Sequence, residues 1–249
     1  ASFYLSSLLM KPGFDFLNTL PDLETYVGWQ RTLVLNASSL SRAADGRYAL
    51  RSQYDGARLY YSVLDILTLI TSLKPNYVLL PEGLSEHCVS LPESIFPFIS
   101  SNELETCSAI GRPFGVYILY DKTASTSSAL LDQIDTYKDL HCYVAGDLSL
   151  ALMLELKHRG IKFIESDIPA NAAYGGEVYG RNEEISLLTN ESARCFELMD
   201  QHCECPVCQQ KFTQAYLHHL FEHTPLLCQR YLIQHNVHYC QTTLCKNRV

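Results

Sequence analysis

From about residue 30 to 195, short runs of strongly apolar residues alternate with longer stretches in which apolar positions recur every three or four residues. Thr32-Leu-Val-Leu35, Tyr77-Val-Leu-Leu80, Phe114-Gly-Val-Tyr-Ile-Leu119, Cys142-Tyr-Val144 and Ile161-Lys-Phe-Ile164 read as buried strands, with another at residues 3–6. Helical spacing runs over residues 57–73 (Leu59, Val63, Leu64, Ile66, Leu67, Ile70) and is stopped by Lys74-Pro75. Further helices are predicted over residues 125–136 and over 148–158, the latter closed by Gly160. Strands apolar on both faces, alternating with helices, imply a parallel sheet covered by helices. The periodicity gives way at residues 194–200 to a Cys/His-rich tail. Two domains are therefore expected: a β/α barrel over 1–195 and a metal-binding subdomain over 196–249. An eight-fold barrel takes roughly 250 residues, and the tail leaves roughly 200. With about six strands countable, two expectations follow: either the barrel is short of units or its start lies upstream of Ala1.

Composition narrows the classes. In 249 residues, 47% are hydrophobic, which is ample for a core and argues against disorder. Lys+Arg 19 against Asp+Glu 27 gives a net charge of −8, so bulk charge is not what would hold a nucleic acid, although a local basic groove is compatible with it. No apolar run reaches the ~18 residues of a membrane span. The first residues carry neither a basic start nor a long apolar run, so no signal peptide is expected there.

The ten cysteines are distributed unevenly. Cys88, Cys107 and Cys142 lie far apart in stretches that read as ordinary core, whereas seven fall between Cys195 and Cys245. Cys203-Glu-Cys205-Pro-Val-Cys208 places three thiols too close for unstrained mutual disulfides but well for one metal ion, in a reducing, cytoplasmic setting. Zinc requires a fourth ligand. The downstream candidates are His218, His219, His223, Cys228, His235, His238, Cys240 and Cys245, which spacing does not separate. A helix over residues 212–231, interrupted at Pro225, could turn back over the Cys loop. Four protein ligands leave no open position, so the Zn2+ would be structural.

The Cys-x-Cys-x-x-Cys triplet, followed by Ala215-Tyr-Leu-His-His-Leu220 and His235-Asn236, resembles the zinc module of the tRNA-guanine transglycosylase (queuine tRNA-ribosyltransferase) family. Met10-Lys-Pro-Gly13, Gly28-Trp-Gln-Arg31 and Arg51-Ser-x-x-Asp55-Gly56 are similar, in the same order, to other motifs of that family. The resemblance implies a TIM-like (β/α)8-type barrel with a zinc subdomain, and His235 as the fourth ligand, with His218 and His219 left out of the metal site. It also implies exchange of an anticodon guanine in tRNA for queuine or another 7-deazaguanine, and dimers formed through the zinc subdomain.

The family's chemical motifs are altered. A pocket Asp of the family falls on Asn36, which can bond a base but cannot accept a proton as a carboxylate does. The family's Phe-Asp-Glu corresponds to Leu80-Pro-Glu82, which leaves Glu82 as a substrate-binding candidate beside Asn36. The nucleophilic Asp falls on Glu165, with Asp167 a lesser candidate on the same strand face. Glu can form a glycosyl ester, but its extra methylene displaces the oxygen, and ~1 Å of misplacement can cost ~10²-fold. Asn171 and Tyr174 stand where the family grips the anticodon backbone with arginines, and the Gly-Gly-x-Ala-Val-Gly-Glu strand lining the base pocket is missing between Phe114 and Val144. Three readings follow: a non-catalytic subunit paired with a catalytic paralogue, an active enzyme using Glu165 on tRNA, or a protein that binds free 7-deazaguanines for salvage. The residues leave the dimer open between homodimer and heterodimer.

Overall fold

A computed structural model describes residues 1–104, 111–180 and 184–246; Cys107 lies outside them. The chain begins with β1 (Ser2–Tyr4) and three short helices, α1 (Leu5–Leu8), α2 (Phe14–Leu17) and α3 (Leu23–Val27). β2 (Val34–Asn36) is followed by an antiparallel sheet of β3 (Ser41–Arg42), β4 (Tyr48–Arg51) and β5 (Arg58–Tyr61). Then come α4 (Val63–Leu73), β6 (Tyr77–Leu79), β7 (Phe96–Ser100), β8 (Gly115–Tyr120) and α5 (Ser127–Asp135). β9 (His141–Gly146), α6 (Leu150–His158), β10 (Phe163–Glu165) and α7 (Ile168–Tyr174) complete this series. The tail adds the hairpin β11 (Glu177–Tyr179) and β12 (Glu184–Ser186), then α8 (Gln214–His223) and α9 (Pro225–Lys246).

Seven strands form one sheet in the order β1-β2-β6-β7-β8-β9-β10, a nearly closed parallel barrel of α/β class. The register pairs Leu35 with Phe3 on one side and with Val78 on the other, and Val78 with Pro97. The strand beyond the expected six is β7. Pro97 has no N–H for the ladder, so Phe96-Pro-Phe-Ile-Ser100 does not read as a central strand.

Two compact units interleave along the chain. One comprises Ala1–Leu119, Ser128–Ala145 and Ile161–Phe163; the other comprises Tyr120–Ser127, Gly146–Gly160 and Ile164–Val249. In the first, Ile66, Leu69, Ile70 and Leu73 of α4 are fully buried among Leu5, Leu35, Val78 and Ile99. A second cluster consists of alternate residues of successive strands: Val34, Leu79, Phe98, Tyr117, Tyr143 and Ala145, with Tyr77 and Phe163 against them. Its rings meet at 4.8 Å (Tyr77 to Phe163) to 5.9 Å (Tyr77 to Phe98), within the range of favourable aromatic pairs. Period-two alternation of this kind is how a small barrel fills its interior. Gly115 is required beside it, because a Cβ there would lie 2.4 Å from the Phe98 ring.

The predicted helix over 57–73 begins only at Val63. Ser62 and Asp65 form a reciprocal capping box, Ser62 Oγ accepting from the Asp65 N–H at 3.1 Å and Asp65 Oδ2 from the Ser62 N–H at 2.7 Å. Residues before the cap pair with β4 instead, Leu59 opposite Leu50. At the tail, the single interrupted helix predicted over 212–231 is two helices, and α9 runs fifteen residues beyond Tyr231, to Lys246. Thr213 caps α8, and Pro225 opens α9, where its missing N–H costs nothing. Among the described residues, no helix is long and apolar enough to cross a membrane.

Candidate metal centre and strand-end residues

Cys203, Cys205, Cys208 and His235 converge, with one ligand atom from each lying within 4.8 Å of all the others. The Cys loop and the middle of α9 supply them, so residues some thirty positions apart meet at one point. His235 Nδ1 lies 3.6, 3.7 and 3.3 Å from the sulfurs of Cys203, Cys205 and Cys208. Tetrahedral zinc with Zn–S of about 2.3 Å and Zn–N of about 2.05 Å sets sulfur and nitrogen roughly 3.6 Å apart. The donor set and its spacing therefore fit that ion.

The imidazole is oriented from behind. His235 Nε2 lies 2.8 Å from the Tyr179 carbonyl, so Nε2 carries the proton and Nδ1 presents its lone pair to the sulfurs. Burial pushes the His235 pKa down, which keeps the ring neutral, as a ligand must be. Burial also pushes the Cys208 thiol up, and the neighbouring Cys205 and Cys203 add to it. Three sulfurs gathered at a half-buried point suit a cation, which would hold them as thiolates. The loop is already bent towards such charge: the Cys205 N–H donates to Cys203 Sγ at 3.5 Å and the Cys208 N–H to Cys205 Sγ at 3.3 Å. Asn236, fully buried beside His235, accepts from the Tyr179 N–H at 3.0 Å and donates to the carbonyls of Pro169 (3.1 Å) and Glu177 (2.9 Å). It thereby fixes α7 and β11 against α9.

The other downstream candidates lie elsewhere. His218 Nδ1 lies 2.6 Å from the Leu187 carbonyl; the buried Cys228 donates from Sγ to the Leu217 carbonyl at 3.3 Å. Cys240 is buried and burial raises its pKa to about 11; Cys245 is exposed. Neither these nor His238 joins the cluster.

Asn36 ends β2 and is fully buried; it continues the strand face that carries Val34. Its Oδ1 accepts from the Ser38 N–H at 3.1 Å and from the Ser38 hydroxyl at 2.6 Å, an Asx turn that shapes the loop leaving the strand. Glu82 follows β6 and is exposed; its Oε1 accepts from Ser100 Oγ at 3.1 Å and Asn102 Nδ2 at 2.9 Å. Asn36 stands at the C-terminal end of β2, and Glu82 lies just beyond the C-terminal end of the neighbouring β6. Around Glu82 stand groups that the sequence pattern does not single out. Tyr48 and Tyr117 donate to the carbonyls of Glu82 and Leu80, each at 2.9 Å, and Glu103 accepts from the Gly83 N–H at 2.5 Å. Burial, with the Glu82 charge adding to it, pushes the Glu103 carboxyl up. These residues come from four separate segments, so only the folded sheet edge reveals them.

In the other unit, Glu165 ends β10, and Asp167 is the N-cap position of α7. Asn171 and Tyr174 lie on α7, Tyr174 exposed. A parallel β/α barrel of this kind, with strand-end carboxylates and carboxamides and a Cys3His cluster in its tail, defines a barrel protein with an appended metal-binding module. The sequence model of the family described as queuine tRNA-ribosyltransferase matches residues 111–249. The queuine tRNA-ribosyltransferase of Thermotoga petrophila is 22% identical over 275 aligned positions, covering 93% of this chain and 74% of that protein. Those of Clostridium acetobutylicum and Desulforamulus reducens are 27% and 31% identical over shorter stretches, 43% and 40% of this chain and 28% and 26% of theirs. The chain belongs to the queuine tRNA-ribosyltransferase family.

Proposed function

We propose that the protein is a non-catalytic, accessory subunit of queuosine-type tRNA modification, pairing in the cytoplasm with a catalytic paralogue. Asn36 carries this reading. A neutral carboxamide stands where the resemblance implies a pocket Asp, and its oxygen is already occupied by both donors of Ser38. It can neither take a proton nor attack a carbon. Glu82 is similarly engaged by Ser100 and Asn102, and α7 presents Asn171 and Tyr174 where family members carry arginines. The tail, in contrast, keeps the full Cys3His set. In this reading Cys203, Cys205, Cys208 and His235 hold a structural Zn2+, which cross-links the Cys loop to α9, and the tail forms the dimer contact.

The place of Glu165 favours a second reading. It stands at the C-terminal end of a barrel strand, where catalytic side chains of such barrels sit. As a nucleophile its carboxylate would attack C1′ of the ribose and release guanine with the bonding pair. An incoming 7-deazaguanine would then displace the glutamate from the same carbon. The deciding experiment incubates the protein with tRNA and labelled guanine, alone and with a catalytic homologue, and repeats both with Glu165→Ala. The expected result is no incorporation alone, with co-purification and stimulation of the homologue that Glu165→Ala leaves unchanged. Incorporation by the protein alone, lost in Glu165→Ala, would establish the enzyme instead. Binding of free 7-deazaguanine without any tRNA-dependent effect would point to salvage.

A further inference from the structure

The His-rich helix contains chemistry that the Cys3His cluster does not absorb. His219, Glu222 and His223 occupy positions i, i+3 and i+4 of α8, which places them on one helical face. All three are exposed, and one ligand atom from each lies within 4.8 Å of the other two. The imidazole rings of His219 and His223 are 4.2 Å apart, centroid to centroid. Two nitrogens bound to one zinc are roughly 3.3 Å apart, and exposed side chains whose donor atoms already lie within 4.8 Å reach that spacing by small rotations about their own torsions.

Three further features favour a cation here. Glu222 supplies negative charge. The cluster lies in the last turns of α8, where unsatisfied carbonyls make the helix end negative. The donors are imidazole and carboxylate, a set that suits zinc, nickel and copper better than magnesium or calcium. His218, on the same helix, is not part of this set, its Nδ1 2.6 Å from the Leu187 carbonyl.

We propose that His219, Glu222 and His223 form a second metal site, a labile surface site for a divalent transition ion. With three protein donors and an exposed location, it leaves positions open to water or to a ligand from another molecule. It differs in kind from the Cys3His cluster, whose four ligands include the buried Cys205 and His235.

Tag-free protein loaded with Zn2+ and treated with a weak chelator separates the two sites kinetically. The expected result is two zinc populations per chain, one removed rapidly and one retained. The double variant His219→Gln/His223→Gln should lose the rapid population and keep the slow one, which serves as its internal measure of folding. Copper(II) added to zinc-loaded protein should give an electron paramagnetic resonance spectrum with nitrogen hyperfine splitting that the double variant lacks. A wild type without a rapid zinc population and without that copper signal, or a double variant that keeps both, would overturn the proposal.

Discussion

Asn236 shows how much one side chain can hold. Its amide makes three hydrogen bonds to backbone groups of Pro169, Glu177 and Tyr179, and it is fully buried. Asn236→Ala leaves one N–H and two carbonyls without that partner, where each buried unsatisfied group costs about 1–3 kcal/mol. A loss of about 3 kcal/mol or more is expected in denaturant unfolding of the zinc-loaded protein, because not every orphaned group finds water. The same residue explains part of what was legible. The Cys203-x-Cys205-x-x-Cys208 spacing announces a metal loop from sequence alone, since thiols two and three positions apart suit little else. Spacing does not choose His235 over His238 or Cys240; the resemblance does, and among the described residues His235 alone joins the three sulfurs. What selects it physically is its rotation about α9, together with the Tyr179 carbonyl waiting behind it.

Helix α9 illustrates why some elements were hidden. Its buried positions are Cys228, Leu232, His235, Asn236 and Cys240, a clear helical period carried largely by residues that a hydrophobicity pattern counts as polar or ambiguous. Continuous apolar strands such as β2, β6 and β8 were legible because their burial is written in aliphatic and aromatic side chains. β7 was masked by Pro97. β5 was absorbed into the following helix because Leu59 falls in phase with Val63 and Ile66. The Cys3His cluster joins the Cys loop to α9, and α9 in turn packs on α7, α8 and β11. A structural zinc contributes about 10–16 kcal/mol in small modules, comparable with or greater than the ~5–15 kcal/mol by which a whole domain is stable. Stripping the retained zinc with a strong chelator, or Cys205→Ser, should therefore melt α8, α9 and the β11–β12 hairpin. Hydrogen exchange would show protection lost across Glu177–Lys246 and regained on zinc addition to the wild type. Protection unchanged after complete zinc loss would mean that side-chain packing alone holds this module.

At the scale of the molecule, charge determines what the protein can do unaided. Polynucleotide affinity is set largely by how many phosphates lysines and arginines neutralise, and it falls with salt in proportion to that number. Here 19 basic residues face 27 acidic ones, a net charge of −8. Several of the arginines are already committed: Arg47 to Asp45 at 2.7 Å, Arg159 to Glu155 at 2.9 Å, and Arg112 to four backbone carbonyls. A long-range field of this sign repels RNA, and a salt slope built from few phosphate contacts is shallow. The accessory reading therefore carries a physical requirement, that the catalytic partner supply the basic surface. Alone, the protein should fail to retard tRNA at about 0.15 M salt, where screening extends to ~8 Å. With a catalytic homologue present, it should co-migrate in a tRNA complex whose salt dependence matches that of the homologue. Tight binding of tRNA by the isolated protein, steeply weakened by salt, would show a basic groove of its own and shift the balance towards an active enzyme, because a chain that grips its polymer unaided has no need of a partner to present it.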